Sequence, residues 1–221
     1  MGILYVVATP IGNLSDMTFR AVETLKFVDI IACEDTRQTL KLLNHFEIKN
    51  HLVSYHQHSK SSKIEFIIKE LEAGKNVAIV TDAGTPGISD PGNILVNEAR
   101  ESGAKVEVIP GPSALTAALS ISGFEIKEFT FYGFLPLKKG RQTAIRAISQ
   151  EPQAVIIYES PFRIKKLLDE LKDVVGDREV FVARELTKKF EETYSGKVSE
   201  VSPNISEKGE FVVILKSRNG K

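Results

Sequence analysis

The sequence contains a single cysteine and no apolar run long enough to cross a membrane. Cys33 has no partner for an internal disulfide, and it stands in the apolar segment 29–34, where a small buried thiol is common. Nowhere do about 18 apolar residues follow one another, and the first residues lack the basic flank of a secretory signal. These absences predict a cytosolic, cytoplasmic protein with no membrane partner.

An excess of charge of either sign is also absent. Lysine plus arginine and aspartate plus glutamate number 29 each, so the formal net charge is zero. A nucleic acid would therefore have to be held by a local basic surface rather than by a basic chain. The hydrophobic share of 42% and the charged share of 26% exclude disordered, collagen-like and fibrous chains. The 221 residues suffice for one large domain or two small ones.

Short β-branched runs alternate with amphipathic stretches in the first half of the chain. This alternation predicts parallel strands joined by crossover helices. Between the strands, apolar residues recur at three- and four-residue spacing, so each helix has one face for a sheet. The predicted strands are 3–8, 29–34, 51–54, 76–81 and 105–109.

The second half has too few helical patterns for its strands. After a helix rich in small residues at 114–122, helices are predicted only at 141–149 and 164–174. Part of this sheet should therefore be antiparallel. The predicted strands are 129–134, 154–158, 179–184, 192–197 and 211–216.

These patterns predict an α/β protein of two abutting α/β domains, residues 1–112 and 113–221. The first has a mostly parallel sheet with crossover helices, and the second has a mixed sheet. With no flexible linker around the boundary, we expect the domains to pack closely and to leave a cofactor cleft between them.

The segment 82–92 follows the most hydrophobic strand and is rich in glycine and proline. Ligands of open parallel sheets bind at the carboxyl ends of strands, and glycine lets a ligand approach the backbone closely. The alternative is an elaborate turn, with Asp90 as N-cap and Pro91 at the first helical position. That alternative does not account for the length of 82–87, so we interpret 82–92 as a ligand platform.

Other strand ends carry polar loops of the same kind. Segment 9–16 reads as a polar turn, and Glu34, Asp35 and Arg37 end the second strand. The loop 110–114 is expected beside the platform, because the fourth and fifth strands flank one crossover. Each loop is open to a plain capping interpretation, while Arg37 offers the planar fork that suits phosphate or carboxylate.

Two common phosphate loops and a metal site are disfavoured. The chain has neither Gly-x-x-x-x-Gly-Lys-Ser/Thr nor a Gly-x-Gly-x-x-Gly after its first strand. His51, His56 and His58 are near each other in sequence, but no cysteine or acidic cluster accompanies them, so no metal is predicted. The basic segment 137–141 is the best local anion site in this neutral chain.

Six ordered motifs resemble the tetrapyrrole methylase superfamily, and within it the ribosomal RNA branch of 16S rRNA cytidine 2'-O-methyltransferases. The resemblance extends over nearly the whole chain. The motifs are Ala8-Thr-Pro-Ile-Gly-Asn-Leu, Cys33-Glu-Asp-Thr-Arg, Thr81-Asp-Ala-Gly-Thr-Pro-Gly-Ile-Ser-Asp-Pro-Gly, Ile109-Pro-Gly-Pro-Ser-Ala, Phe131-Tyr-Gly-Phe-Leu-Pro and Tyr158-Glu-Ser-Pro-Phe-Arg.

The resemblance implies a homodimeric methyltransferase that binds S-adenosylmethionine (SAM) between its domains and methylates a cytidine ribose in 16S ribosomal RNA or the small ribosomal subunit. It also implies which residues contact the cofactor. They are Pro10, Ala83, Gly84, Thr85, Ile88, Ser113, Ala114, Glu159 and Leu186.

The sequence disfavours three other functions. Relatives acting on small anionic, porphyrin-like substrates typically carry Gly-Asp-Pro where this chain has Gly84-Thr-Pro86, which disfavours such a substrate. The missing phosphate loops disfavour a nucleotide-binding transferase or dehydrogenase. The number of shaped strand-end loops disfavours a non-catalytic nucleotide-binding module.

Methyl transfer to a ribose hydroxyl depends mainly on alignment, and it is helped by a general base. Our hypothesis is that Glu34 or Asp35 serves as the base or anchors the ribose. Arg37 would then steer a backbone phosphate, because all three residues end one strand.

Overall fold

The computed structural model describes residues 1–56 and 61–218. The chain divides into two compact units, Met1–Ser113 and Ala114–Lys221. Within the described part, no helix is both long and apolar enough to span a membrane.

The first unit is a five-stranded parallel sheet with helices between its strands, in the order β3-β2-β4-β1-β5. The parallel sheet with crossover helices is confirmed. Its strands are β1 (Ile3–Val7), β2 (Ile30–Cys33), β3 (His51–Ser54), β4 (Val77–Val80) and β5 (Lys105–Ile109). Its helices are α1 (Phe19–Phe27), α2 (Thr36–His45), α3 (Ser61–Glu72) and α4 (Asn93–Glu101), with a 3-10 turn at Leu14–Asp16.

Continuous apolar sequence explains why β2 and β4 occupy central positions. Every residue of both strands is buried, as expected for parallel strands covered by helices on both faces. One core cluster includes Ala32 and Ile79, and the cluster on the other face includes Ile31 and Val80. The two faces are thus built by alternate residues of the same strands.

The second unit has a mixed sheet in the order β6-β7-β10-β8-β9. Only β6 and β7 pair in parallel, and the other pairs are antiparallel. The mixed sheet is therefore confirmed. Its strands are β6 (Phe129–Phe134), β7 (Ala154–Glu159), β8 (Glu179–Arg184), β9 (Glu192–Lys197) and β10 (Phe211–Leu215). Its helices are α5 (Ala114–Ile121), α6 (Arg141–Gln150), α7 (Ile164–Val175) and the short α8 (Val198–Val201), followed by a 3-10 turn at Ser202–Asn204.

The apolar stripe of α7 explains the core of this unit. Ile164, Leu167, Leu168 and Leu171 recur at helical spacing and are all buried, so α7 packs one face into the core. The core cluster also includes Val213 of β10. Because α7 packs into the core beside the sheet, the loop that precedes it is held in one direction. Arg163, the last residue of that loop, is held with it.

Three details of the fold differ from the interpretation of the sequence. Helix α4 begins at Asn93 with Gly92 as its N-cap and no side-chain cap, so the alternative that placed the N-cap at Asp90 is wrong. Strands β4 and β5 are not neighbours, because β1 lies between them. The short helix α8 was missed, since four residues are too few to show a helical period.

Candidate functional site

The loop after β1 is joined to the platform 82–92 by backbone pairing. The Thr9 N–H donates to the Gly84 carbonyl at 2.9 Å, and the Gly84 N–H donates to the Thr9 carbonyl at 3.0 Å. The buried Thr9 hydroxyl donates to the Thr81 carbonyl at 3.0 Å. The first loop and the platform are therefore one structural unit, and the buried Pro10 follows directly after this junction.

The loop after β5 joins the same platform although β4 and β5 are not adjacent. The Thr85 hydroxyl donates to the Pro112 carbonyl at 3.2 Å. The Ala8 N–H donates to the Ile109 carbonyl at 3.1 Å, at the ends of the neighbouring strands β1 and β5. The expected proximity of loop 110–114 is correct, but it comes about through β1. Ser113 stands immediately before the first residue of α5.

The loop after β2 reaches the platform through two aspartates. The Asp35 N–H donates to Oδ1 of Asp82 at 3.2 Å. Asp82 was not among the predicted functional residues. The signal that could have found it is its position, since it is the second residue after a fully buried strand, where ligands of parallel sheets bind.

Glu34 and Asp82 are carboxyls whose surroundings favour the protonated form. Burial, and then the negative charge of Asp82, raise the pKa of Glu34, and the neighbouring His56 partly opposes them. Burial likewise raises the pKa of Asp82, and a hydrogen bond from the Asp35 backbone partly opposes it. Carboxyls with raised pKa values at strand ends are candidates for proton transfer.

Asp35 has the opposite character. Its side chain caps α2 by accepting from the Arg37 N–H at 2.8 Å, and it accepts from Nε and Nη2 of Arg37 at 3.0 and 2.7 Å. Hydrogen bonds from the Arg37 side chain and backbone lower the pKa of Asp35 to about 2. A carboxylate held in this way is a weak base, while the guanidinium of Arg37 stays 86% exposed.

Glycine at two positions lets the platform adopt its shape. Gly84 and Gly87 have φ values of +81° and +84°, a region in which residues with a side chain are strained. A Cβ at Gly84 would lie 3.3 Å from Cγ2 of Ile11. Both backbone polar groups of Gly84 are bonded to Thr9, so Gly84 gives this loop its shape, and its predicted contact with the cofactor stays a prediction.

Two predicted contacts on the platform are exposed. Ala83 is open to solvent, and Ile88 is 37% exposed. A cavity of about 330 Å³ lies against the second half of the platform. Its lining comprises Tyr55, Gly87, Ser89, Asp90, Pro91, Gly92, Asn93 and Ile94.

Glu159 lies in the second unit and is held by two arginines. Its side chain is fully buried and lies 2.7 Å from Nη2 of Arg163 and 3.7 Å from Nη1 of Arg141. It also accepts from the Ser160 N–H at 2.8 Å. These contacts give Glu159 a structural function, and its predicted contact with the cofactor stays a prediction.

The two other predicted contacts of the second unit lie on different elements. Ala114 is the first residue of α5. Leu186 is buried and is flanked by Glu185 and Thr187, which have φ values of +51° and +65°. The Glu185 N–H donates to the Glu210 carbonyl at 2.9 Å, which fixes this turn beside β10.

The histidines that the structure describes do not form a metal centre. Among residues 1–56 and 61–218, no group of three or more His, Cys, Asp or Glu side chains could hold a metal ion. His58 lies outside the described residues.

The family description Tetrapyrrole (Corrin/Porphyrin) Methylases matches residues 3–202. The chain belongs to the tetrapyrrole methylase family. The family resemblance carried by the six sequence motifs is therefore confirmed, and the match includes every strand-end loop described above.

Curated relatives match along the full length of this family member. A protein of Thermotoga maritima named ribosomal RNA small subunit methyltransferase I is 46% identical over 221 residues, which cover 99% of this chain and 100% of that protein. A Bacillus subtilis protein of the same name is 48% identical, over 100% of this chain and 77% of that protein.

Solved structures of tetrapyrrole methylases share the fold. The methyltransferase CobJ superposes with a TM-score of 0.73 at 16% identity, over 99% of this chain and 95% of that one. Uroporphyrin-III-C-methyltransferase of Thermus thermophilus superposes with a TM-score of 0.70 at 16% identity, over 98% of this chain and 94% of that one. At this identity the likeness shows the fold alone.

Proposed function

We propose that this tetrapyrrole methylase is a SAM-dependent enzyme that methylates the ribose 2'-hydroxyl of a cytidine in 16S ribosomal RNA. The full-length identity of 46% with a relative named ribosomal RNA small subunit methyltransferase I carries the proposal. The cytidine and its 2'-hydroxyl come from the resemblance to the RNA branch. The same resemblance supports a cytoplasmic homodimer.

The strand-end loops of the first unit fit a sulfonium nucleoside. They carry Gly84 and Gly87, whose positive φ values shape the backbone, and the hydroxyl-bearing residues Thr85 and Ser113. The chain has neither of the two common phosphate-binding sequences. Hydroxyls and amides suit the ribose and amino acid groups of SAM, which has no phosphate to bind. We propose Pro10, Ala83, Gly84, Thr85, Ile88 and Ser113 as its contacts in this unit, and Ala114, Glu159 and Leu186 as contacts from the second.

When bound, SAM supplies an activated methyl group. The ribose oxygen forms the new O–CH₃ bond while the S–CH₃ bond breaks, its electron pair stays on sulfur, and the hydroxyl proton passes to a base. The residues of the protein then have two tasks, which are to align the hydroxyl with the methyl group and to accept its proton.

Of the two residues proposed as base, Glu34 suits the role better than Asp35. The pKa of Glu34 is raised towards the working pH by burial and by Asp82, whereas the ion pair with Arg37 lowers the pKa of Asp35 to about 2. We therefore assign proton acceptance to Glu34. Asp35 positions Arg37, whose exposed guanidinium contacts a backbone phosphate.

The test is primer extension on 16S RNA from cells with and without the gene, at low deoxynucleotide concentration. A stop at a cytidine that appears only with the gene supports the proposal. Calorimetry with SAM, its demethylated product, NAD and ATP provides the second measurement. Binding of NAD or ATP but not SAM, or identical primer-extension patterns from both strains, would contradict the proposal.

A further inference from the structure

Two loops of the second unit lie side by side at the carboxyl ends of the parallel pair β6 and β7. One runs from Leu135 to Gly140 and the other from Ser160 to Arg163. Nη1 of Arg163 donates to the Leu135 carbonyl at 3.0 Å, which joins the loops directly. The rings of Phe134 and Tyr158, at the paired strand ends, have centroids 5.7 Å apart.

A buried network of charged side chains holds both loops in place. Arg141 is almost fully buried, donates through Nε to Glu170 at 2.9 Å and through Nη1 to the Pro136 carbonyl at 3.3 Å, and faces Glu159. Arg163 donates through Nε to the Ser160 hydroxyl at 3.1 Å and pairs with Glu159. Both nearby acidic groups are thus engaged internally, and the loops are anchored from beneath.

The outer surface of these anchored loops is apolar and basic. We call Leu137, Lys138, Lys139 and Phe162 of the loops, together with Lys165 in the first turn of α7, the loop-pair surface. Phe162 is 92% exposed and Leu137 is 72% exposed, and the three lysines are also exposed. None of these three lysines forms an ion pair with a residue of the described ranges 1–56 and 61–218. The cations in the salt bridges of this region are Arg141, Arg163 and Lys166.

Single exposed apolar residues are common on protein surfaces and carry no meaning alone. Here Phe162 is exposed on a turn whose backbone is fixed by hydrogen bonds. The N–H groups of Arg163 and Ile164 both donate to the Ser160 carbonyl at 3.1 Å. Aromatic rings among unpaired lysines are the combination that binds unpaired nucleotides, with rings stacking on bases and lysines contacting phosphates.

We infer that the loop-pair surface holds a single-stranded segment of the RNA substrate. Phe162 stacks on a base, and Lys138, Lys139 and Lys165 contact phosphates. The inference rests on the proposed function and adds to it the surface that grips the RNA. It also gives a chain with zero net charge a local positive surface for RNA, formed by Lys138 and Lys139 of one loop and by Lys165 at the start of α7.

The first experiment measures binding of a fluorescent single-stranded RNA of twelve nucleotides, and of the same strand in a duplex, by anisotropy. Phe162→Ala should weaken single-strand binding about tenfold, and Phe162→Trp should restore it. The double variant Lys138→Gln/Lys139→Gln should reduce the slope of log K against log salt by about 1.4, at about 0.7 per phosphate contact. Binding of SAM should be unchanged in every variant.

Matched controls come from exposed residues elsewhere. Phe19→Ala removes an aromatic ring that is 93% exposed in the first unit. Lys172→Gln/Lys208→Gln removes two exposed lysines of the second unit. Neither control should change the affinity or the salt slope by more than the error of measurement.

The second experiment measures methylation of small ribosomal subunits. Phe162→Ala should raise KM for the subunit about tenfold and leave kcat at saturation close to wild type. If the wild type methylates subunits and the loop-pair variants match it in KM, affinity and salt slope, this inference is wrong while the proposed function stands. Equal binding of single strand and duplex would also overturn it. A wild type that neither methylates nor binds subunits would overturn both.

Discussion

Thr9 and Gly84 exchange both of their backbone hydrogen bonds, at 2.9 and 3.0 Å, although 75 positions separate them in the chain. The pair is an isolated antiparallel bridge, and it joins the loops that follow the parallel strands β1 and β4. As a consequence, the loop that carries Pro10 and the platform that carries Thr85 keep a fixed relation. Any change that weakens the Thr9–Gly84 pair should disturb both sets of proposed SAM contacts.

Substitution Gly84→Ala tests this relation. The φ of +81° should cost about 1–2 kcal/mol with alanine, and the new Cβ meets Ile11 at 3.3 Å. We expect lower stability by urea unfolding and at least tenfold weaker SAM binding by calorimetry. Gly74→Ala is the control, because Gly74 has a φ of +88° and nothing within 4 Å of its Cβ position. Equal losses of SAM affinity in both variants would rule out a specific function of Gly84.

The pH profile of methylation tests Glu34 as the base. Because burial and Asp82 raise its pKa above 4.5, kcat should fall as the pH drops through that raised pKa and Glu34 becomes protonated. Glu34→Gln should lower kcat by about 10²–10⁴-fold with SAM affinity unchanged. Asp82→Asn removes a negative neighbour, so the acidic limb should move to lower pH. If the acidic limb of the pH profile lies at the same pH in Asp82→Asn as in wild type, the proposed effect of Asp82 on the pKa of Glu34 is wrong.

The stability of the first unit should depend on Asp35 in one pH window. Its pKa falls from 3.8 to about 2 on folding, so its ionised form contributes stability above pH 3.8, and this contribution is lost as the pH falls through about 2. Asp35→Asn keeps a capping side chain but removes the charge. Its melting temperature should be below wild type at pH 7, with the difference closing towards pH 2. Asp16→Asn serves as the control. If the difference in melting temperature between Asp35→Asn and wild type does not change with pH, the lost stability comes from packing and not from the charge.

Loss of the buried carboxylate at Glu159 should destabilise the second unit strongly. Glu159→Ala removes the buried carboxylate that pairs with Arg163, while Arg141 keeps its ion pair with Glu170, and breaking a buried pair costs about 3–5 kcal/mol. Lys127→Ala removes an exposed pair with Glu125 and should change stability by less than about 1 kcal/mol. Urea unfolding followed by circular dichroism measures both. A similar small effect in both variants would show that the Glu159 network does not support the fold.

The sequence was sufficient for most of the fold because its signals are local. Periodicity and glycine positions located every strand of β1 to β10 to within about a residue at each end, since alternation and helical spacing depend only on neighbours in the chain. The unusual length of 82–92 marked the platform for the same reason. The alternative with Asp90 as N-cap is wrong because a good capping residue is no guarantee that the helix begins there.

Pairing between distant residues could be decided only by the tertiary structure. No local pattern places β1 between β4 and β5, brings Asp82 to Asp35, or buries Glu159 between two arginines. Strand order depends on which apolar faces can be covered together, and pKa values depend on the charges that the folded chain brings near. Residue types and turns thus determined which groups are available for chemistry, while packing decided which carboxylate is suited to accept a proton and which is held in an ion pair.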